Sequence, residues 1–190
     1  MSHKKFDPSK AERLIAPERY QELKPDVMLQ KLGTPPGSTI LDLGCGNGFF
    51  TFPAAVAMGE GMVIAADMSE PMLNLLRQRN IPDNVQVLKV EEVKIEVEED
   101  SVDAVVMIAL YHEFRNPLDN LAEIKRTLKS DGKILILDWD PSAEKDRGPG
   151  KDHRVGMDQA LKDLEAADYK SISQEQYTQD MWMIIAQPIF

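Results

Sequence analysis

The chain has 190 residues, 43% of them hydrophobic, with 32 acidic against 22 basic residues and a formal charge of −10. That length suits one globular core, and the acidity argues against a broad nucleic-acid or anionic-membrane surface, which needs a basic face. One cysteine, Cys45, excludes an internal disulfide and a cysteine-based zinc site, so a reducing cytoplasm is the expected compartment.

The N-terminal MSHKKFDPSKAERL lacks the apolar centre of a secretory signal, and no apolar run approaches the ~20 residues of a membrane helix. Residues 1–33 are expected to form a helical cap. In it, Pro25 suits a first helical position, Val27, Met28, Leu29 and Leu32 give apolar spacing, and Gly33 can end the turn. After the break GTPPGS, strands and helices alternate: a strand over 39–43, an apolar helix over 49–58, and a strand over 62–66. A helix then opens with Ser69 as N-cap and Pro71 in its first turn and runs to about Arg79. Strands follow over 85–89 and 104–109. Asn116-Pro117 starts a capped helix with Leu118, Leu121, Ile124 and Leu128 as its buried stripe, and Asp131-Gly132 turns into a strand over 133–137. Beyond the polar loop DPSAEKDRGPGKDHR come a helix over 157–167 and strands near 171–174 and 181–186.

This alternation predicts an α/β fold: a Rossmann-like, doubly wound, mostly parallel seven-stranded sheet with helices on both faces. The expected organisation is one domain, with a cap over 1–33, a cofactor-binding core over 38–140, and a substrate-side loop with C-terminal strands over 141–190. Ligands of such sheets bind beyond the carboxyl ends of the strands, and most of the candidates below fall there.

Three alternating glycines, Gly44, Gly46 and Gly48, break the first strand from its helix. Their spacing differs from the G-x-G-x-x-G of dinucleotide binders, whose third glycine would fall on Phe49, and no Gly-Lys-Ser/Thr follows to make a phosphate-binding Walker loop. Asp42, just ahead, would repel a pyrophosphate and attract an ammonium group. Asp67, ending the second strand, suits paired hydrogen bonds from ribose hydroxyls, its plainer role being charge stabilisation of the next helix. Glu91 and Glu92 follow the third strand; one of them can accept from an exocyclic adenine amine, although the acidic run with Glu96, Glu98, Glu99 and Asp100 also reads as a solvated face. Together these positions describe an unphosphorylated nucleoside with a cationic amino-acid tail, which is S-adenosylmethionine.

The segments ILDLGCGNGFFT and EIKRTLKSDGKILILDW, with Asp67 and the acidic pair ahead of EEDSVDAVVM, resemble a class I S-adenosylmethionine-dependent methyltransferase. The resemblance is to the broad group that includes ubiquinone and menaquinone biosynthesis methyltransferases, and it covers about residues 35–140. It implies that Asp42 and the loop Gly44, Cys45, Gly46 and Gly48 hold the methionine end. Asp67 would then hold the ribose, Met68 would pack on the adenine, and Glu91 or Glu92 would read the adenine edge. The end of the fourth strand, at Ala109, would face the methyl group. Cys45 reads as a small filler in that loop and not as a nucleophile.

Methyl transfer from a sulphonium is an in-line displacement, so the protein aligns the partners, excludes water and removes any acceptor proton. In MIALYHEFRNP the catalytic candidates are Tyr111, His112 and Glu113. His112, with a reference pKa near 6.5, suits a general base that Glu113 orients; its plainer role is to cap the helix near Asn116. The absence of an Asn/Asp-Pro-Pro-Tyr motif disfavours methylation of nucleobase or glutamine amino groups. His153 and Arg154, in the lid-like loop DRGPGKDHRVGM, and Tyr20, in the cap, are the substrate-binding candidates. Asp138 and Asp140 raise a hard-cation site that lacks a third ligand, so no metal is expected. An arsenite methyltransferase would need several cysteines. The expectation is thus a cytoplasmic methyltransferase acting on a small-molecule acceptor, monomer or homodimer, without a nucleic-acid partner. The alternatives are a non-catalytic S-adenosylmethionine-binding module and a protein or RNA methyltransferase.

Overall fold

The central strands are continuous apolar runs whose successive residues turn to opposite faces, and both faces of the sheet are covered. The computed structural model describes residues 8–144 and 147–190, with side chains from residue 11. The first seven residues of the expected cap, and Lys145 and Asp146 of the polar loop, lie outside the described residues. The strands are β1 (Thr39–Leu43), β2 (Met62–Asp67), β3 (Val85–Lys89), β4 (Val102–Ile108), β5 (Leu128–Trp139), β6 (Tyr169–Gln176) and β7 (Met181–Pro188). They form one sheet in the order β3-β2-β1-β4-β5-β7-β6. Neighbours from β3 to β5 are parallel, and β7 runs antiparallel to both β5 and β6. The sheet is therefore mixed by a single reversed strand. The chain winds outward from β1 to β3 and returns at β4, which places the switch in strand order between β1 and β4.

A 3-10 helix, Pro8–Ile15, precedes the helices α1 (Pro17–Leu23), α2 (Pro25–Leu32), α3 (Thr51–Met58), α4 (Glu70–Arg77), α5 (Pro117–Thr127) and α6 (Met157–Ala166). Leu41, Val105, Met107, Ile134, Ile136, Trp182 and Ile184 point to one face and pack with Leu121 and Ile124 of α5 and with Ala160 and Leu164 of α6. Their strand neighbours Ile40, Val106, Leu135, Leu137, Met183 and Ile185 point to the other, against Met28 and Leu32 of α2 and Ala54 and Met58 of α3. Each fully buried side chain of this kind stabilises the fold by about 1.5–3 kcal/mol relative to an exposed one.

Four local expectations are corrected. The helix expected over 49–58 begins at Thr51, because Phe49 and Phe50 are buried in the turns that leave the glycine loop. Ser69 makes no side-chain cap bond; Asp67 accepts from its N–H instead. Leu118 is 43% exposed, whereas Asn120 is buried on that helix and donates through Nδ2 to Glu92 O at 2.6 Å. Asp131-Gly132 does not precede the fifth strand but lies within it: Leu128 pairs Val102 and Lys133 pairs Ala104, so the extra residues bulge out opposite Asp103.

Candidate functional site

The β1–α3 connection needs a chain that turns sharply with little room for side chains. Gly44, Gly46 and Gly48 have φ of +74°, +56° and +93°, a region that L side chains rarely adopt. A Cβ on Gly44 would meet Leu110 at 2.9 Å, and one on Gly48 would meet Leu76 at 2.6 Å. The loop is tied to the end of β2: Gly44 N and Cys45 N donate to Ala66 O at 2.8 and 3.0 Å. Asp67 accepts from Gly46 N at 2.8 Å on one oxygen and from Ser69 N at 2.7 Å on the other. Each carboxylate oxygen can accept a further hydrogen bond. Behind the loop, Arg79 donates to Asn47 O at 2.8 Å and lies 3.9 Å over the Phe52 ring. Above it runs the 3-10 helix, whose Ala11 O accepts from Asn47 Nδ2 at 2.7 Å. Asn47 Oδ1 is buried and has no hydrogen-bond partner among the described residues.

Two carboxylates sit at this strand end. Asp42 is 3% exposed and accepts a 2.6 Å hydrogen bond from Thr51. Burial pushes its pKa up to about 7, Thr51 holds it down, and the charge of Asp67 pushes it further up. Burial also raises Asp67, against backbone donors at Ser69, Gly46 and Met68. Paired acids of this kind favour an incoming cation. The Cys45 thiol is pushed well above its usual range by burial and by both carboxylates, so it is held neutral.

The two acidic residues after β3 diverge. Glu91 lines a cavity of about 200 Å³ with Lys89, Val90, Lys94 and Glu96. Glu92 is paired with Arg115 at 3.3 Å, and its carbonyl is held by Asn120. Met68, half-buried, follows Asp67 into the β2–α4 turn.

At the end of β4, Ala109 takes φ +55°, an uncommon conformation for a residue with a Cβ, and donates to Leu137 O at 2.7 Å. The chain then places Leu110 on Gly44 and turns through residues 111–113. There His112 meets Asp138 of β5. Its Nδ1 is 2.8 Å from Asp138 Oδ1, and its backbone N donates to Oδ2 at 3.1 Å. Asp138 is fully buried, and the His112 side chain is 9% exposed. Burial lowers the affinity of His112 for a proton, but the hydrogen bond and charge of Asp138, with Glu113, outweigh burial and Arg154, so its pKa is raised. Glu113 is half-buried.

Tyr111 is placed elsewhere. It is fully buried, its ring stacks edge-on with Phe114 and Trp182, and its hydroxyl donates to Asp163 on α6 at 2.9 Å. Burial first, and then Asp163, push the phenol far above its usual range. The hydroxyl of this catalytic candidate is thus engaged by Asp163 in the helix-covered core.

Arg154, a substrate-binding candidate, is likewise held by the protein's own groups. It is 8% exposed and donates to three backbone carbonyls, of Pro149, Asp140 and Arg147, at 2.8–3.1 Å. It clamps the β5–α6 loop instead of presenting a free guanidinium to a substrate. His153 is exposed on the turn next to it. Arg147, in the same loop, pairs with Glu22 of α1 and with Asp180 ahead of β7. Trp139 has both guanidinium groups within 6 Å of its ring. Tyr20 stacks on Phe49 at 4.7 Å, and Arg19 lies 4.5 Å over the same ring. The loop and the cap therefore meet above the strand ends.

Sequence reasoning missed Asp138, Trp139 and Arg147 as parts of the site. Asp138 was visible only as half of a cation pair with Asp140, yet the two carboxylates face different partners, Asp140 accepting from Ser142 N and Oγ. The signal for Asp138 was its place at the end of the fifth strand, beside the strand that carries His112.

Residues 41–136 match the methyltransferase domain family. The chain belongs to the class I S-adenosylmethionine-dependent methyltransferases. It is similar over 97% of its length to all of a crystallised S-adenosylmethionine-dependent methyltransferase from Aquifex aeolicus, with a TM-score of 0.91 and 32% identity. A demethylmenaquinone methyltransferase from Clavibacter sepedonicus is 36% identical over 54% of this chain, and a ubiquinone/menaquinone biosynthesis C-methyltransferase from Blochmanniella pennsylvanica is 32% identical over 54%. In both cases the match spans 42% of the relative, so this chain aligns with less than half of those proteins. Among the described residues, no helix is long and apolar enough to cross a membrane. The methyltransferase's cofactor is S-adenosylmethionine, and the site suits its chemistry: Gly44 and Gly48 leave no room for a Cβ, two buried carboxylates call for positive charge, and the buried Asn47 Oδ1 has no donor among the described residues.

Proposed function

We propose that this methyltransferase modifies a small-molecule acceptor held between the strand ends and a roof made by the N-terminal helices and the β5–α6 loop. The carrying observation is the Arg147 bridge, which joins the loop to Glu22 of α1 and to Asp180. A roof tied down on both sides admits a small molecule more readily than a protein or RNA strand. The quinone-biosynthesis names of two relatives support the same reading.

In this reading Asp42 faces the ammonium of the bound cofactor and the amides of the glycine loop approach its amino-acid end. Asp67 takes the ribose hydroxyls and Met68 packs on the adenine. Glu91, free of the Arg115 pairing that holds Glu92, reads the adenine amine. Arg19, beside Phe49, has the sign that suits the cofactor's carboxylate. S-adenosylmethionine supplies an electrophilic methyl group when bound. The chain's own residues orient it, exclude water and manage the acceptor's proton.

The test is transfer of labelled methyl from S-adenosylmethionine into cell extract by the purified protein. Label in the ultrafiltrate supports the small-molecule reading. Label confined to protein or RNA replaces it with a macromolecular acceptor, and no label with intact cofactor binding favours a binding module.

A further inference from the structure

We propose that His112 and Asp138 work as a pair, His112 removing the proton of a neutral, weakly acidic hydroxyl on the acceptor and Asp138 holding the imidazole for that task. This rests on the transferase reading above and narrows the acceptor to a phenol- or enol-type alcohol methylated on oxygen.

The geometry carries it. Asp138 grips His112 at two points, the ring through Nδ1 at 2.8 Å and the backbone N at 3.1 Å. A fully buried carboxylate that accepts from Nδ1 selects the Nδ1–H tautomer, which leaves Nε2 as the basic nitrogen. Asp138 is itself fixed, since it also accepts from Trp139 N at 2.6 Å. The pair sits where β4 and β5 end, and Leu110, two residues before His112, packs on Gly44 of the cofactor loop. Base and cofactor cradle are thus joined through one side chain.

The surroundings decide the acceptor. The charged groups that act on His112 are Asp138 on β5, Glu113 on its own turn and Arg154 across the loop. Burial and Arg154 oppose a proton on the ring, Asp138 and Glu113 favour it, and the balance leaves a stronger base than free imidazole. At the ring itself the two carboxylates Asp138 and Glu113 outnumber Arg154, which disfavours an acceptor that arrives as an anion. The acceptor therefore enters neutral and loses its proton in place. The O–H proton passes to His112 Nε2, the oxygen's electron pair forms the bond to the methyl carbon, and the pair of the breaking C–S bond stays on sulphur. Positive charge leaves the sulphur as it appears on the imidazole, where Asp138 balances it.

Asp138 is a positioning residue, and its role is read without cofactor. In NMR titrations of cofactor-free protein with labelled histidine, His112 should show the Nδ1–H tautomer and a pKa above that of free histidine. Asp138→Asn should lower that pKa and abolish the tautomer preference while the amide spectrum stays folded. An unmoved titration overturns the pairing. For the base, a series of phenols graded in acidity is methylated by wild type and His112→Gln. The variant should slow transfer to weakly acidic phenols by about 10²–10⁴-fold, spare nitrophenols already ionised at the assay pH, and keep its calorimetric affinity for S-adenosylmethionine. Equal loss across the series, or no loss, overturns the base and leaves the transferase reading intact. Methyl found on carbon, nitrogen or sulphur overturns the hydroxyl assignment. No transfer to any phenol or to any component of cell extract overturns the transferase reading and this inference together.

Discussion

Thr51, in the first turn of α3, donates a 2.6 Å hydrogen bond to the buried carboxylate of Asp42 on β1, bridging the glycine loop at its base. The bond does not compensate for burial, and Asp42 keeps a pKa of about 7 against an ordinary 3.8. A carboxyl whose folded pKa is raised contributes most stability below its unfolded pKa and loses it as pH climbs through the folded value. Between about pH 4 and 7, ionising Asp42 should therefore destabilise the cofactor-free fold by up to about 4 kcal/mol, at roughly 1.4 kcal/mol per unit. Asp42→Asn keeps an acceptor for Thr51 without the charge. It should be more stable than wild type at pH 8 and indistinguishable near pH 3, as measured by urea denaturation without cofactor. The same variant should bind S-adenosylmethionine more weakly, because the cofactor's ammonium loses its counter-charge.

Asp67 links the loop to the start of α4 by accepting from Gly46 and Ser69. Replacement by Ala removes those bonds and the proposed ribose contacts. Cofactor affinity should fall by about 1.5–3 kcal/mol, the range for lost hydrogen bonds to a charged group. Isothermal calorimetry measures it directly, and an unchanged dissociation constant would remove Asp67 from the cofactor site.

Glu91 and Glu92 are separable by the Arg115 pairing. Glu91→Gln should weaken cofactor binding by ~1 kcal/mol. Glu92→Gln, which loses an exposed ion pair, should change affinity and stability by less than ~0.5 kcal/mol. Equal effects on calorimetric affinity would place both side chains, or neither, at the adenine.

Tyr111→Phe deletes the hydroxyl bonded to Asp163 without changing the ring's contacts in the core. Stability should drop by about 1 kcal/mol, seen as an earlier urea midpoint, with turnover retained once an acceptor is in hand. Abolished turnover in a folded variant would return Tyr111 to the catalytic group.

The strand–helix alternation was legible because it is written locally: short continuous apolar runs in β1, β4 and β5 turn successive residues to opposite faces, against two helix layers. The glycine loop was legible too, since three left-handed backbone positions require glycine wherever the chain goes afterwards. Ser69 and Leu118 misled for the same local reason. A serine before a helix looks like its cap, and the competing acceptor, Asp67, is decided by how the β2 end meets the glycine loop. Leu118 fits an apolar stripe, but Asn120 is buried in that helix because Glu92 O offers it an acceptor from another segment.

Tyr111, His112 and Arg154 show the limit most clearly. They were singled out from two short segments, MIALYHEFRNP and DRGPGKDHRVGM, and only the folded sheet sorts them: Tyr111 to Asp163, Arg154 to three loop carbonyls, and His112 to Asp138.

The sequence by itself carried the family resemblance, the α/β architecture and the expectation of a positively charged nucleoside, because the motifs, the strand–helix alternation and the acidic strand ends are all local in the chain. Only the tertiary structure decided which polar side chains are held in the core and which meet as a pair at the strand ends. Asp138 lies 26 residues from His112. Their contact exists because β4 and β5 lie side by side in parallel register, a relationship that no local pattern encodes.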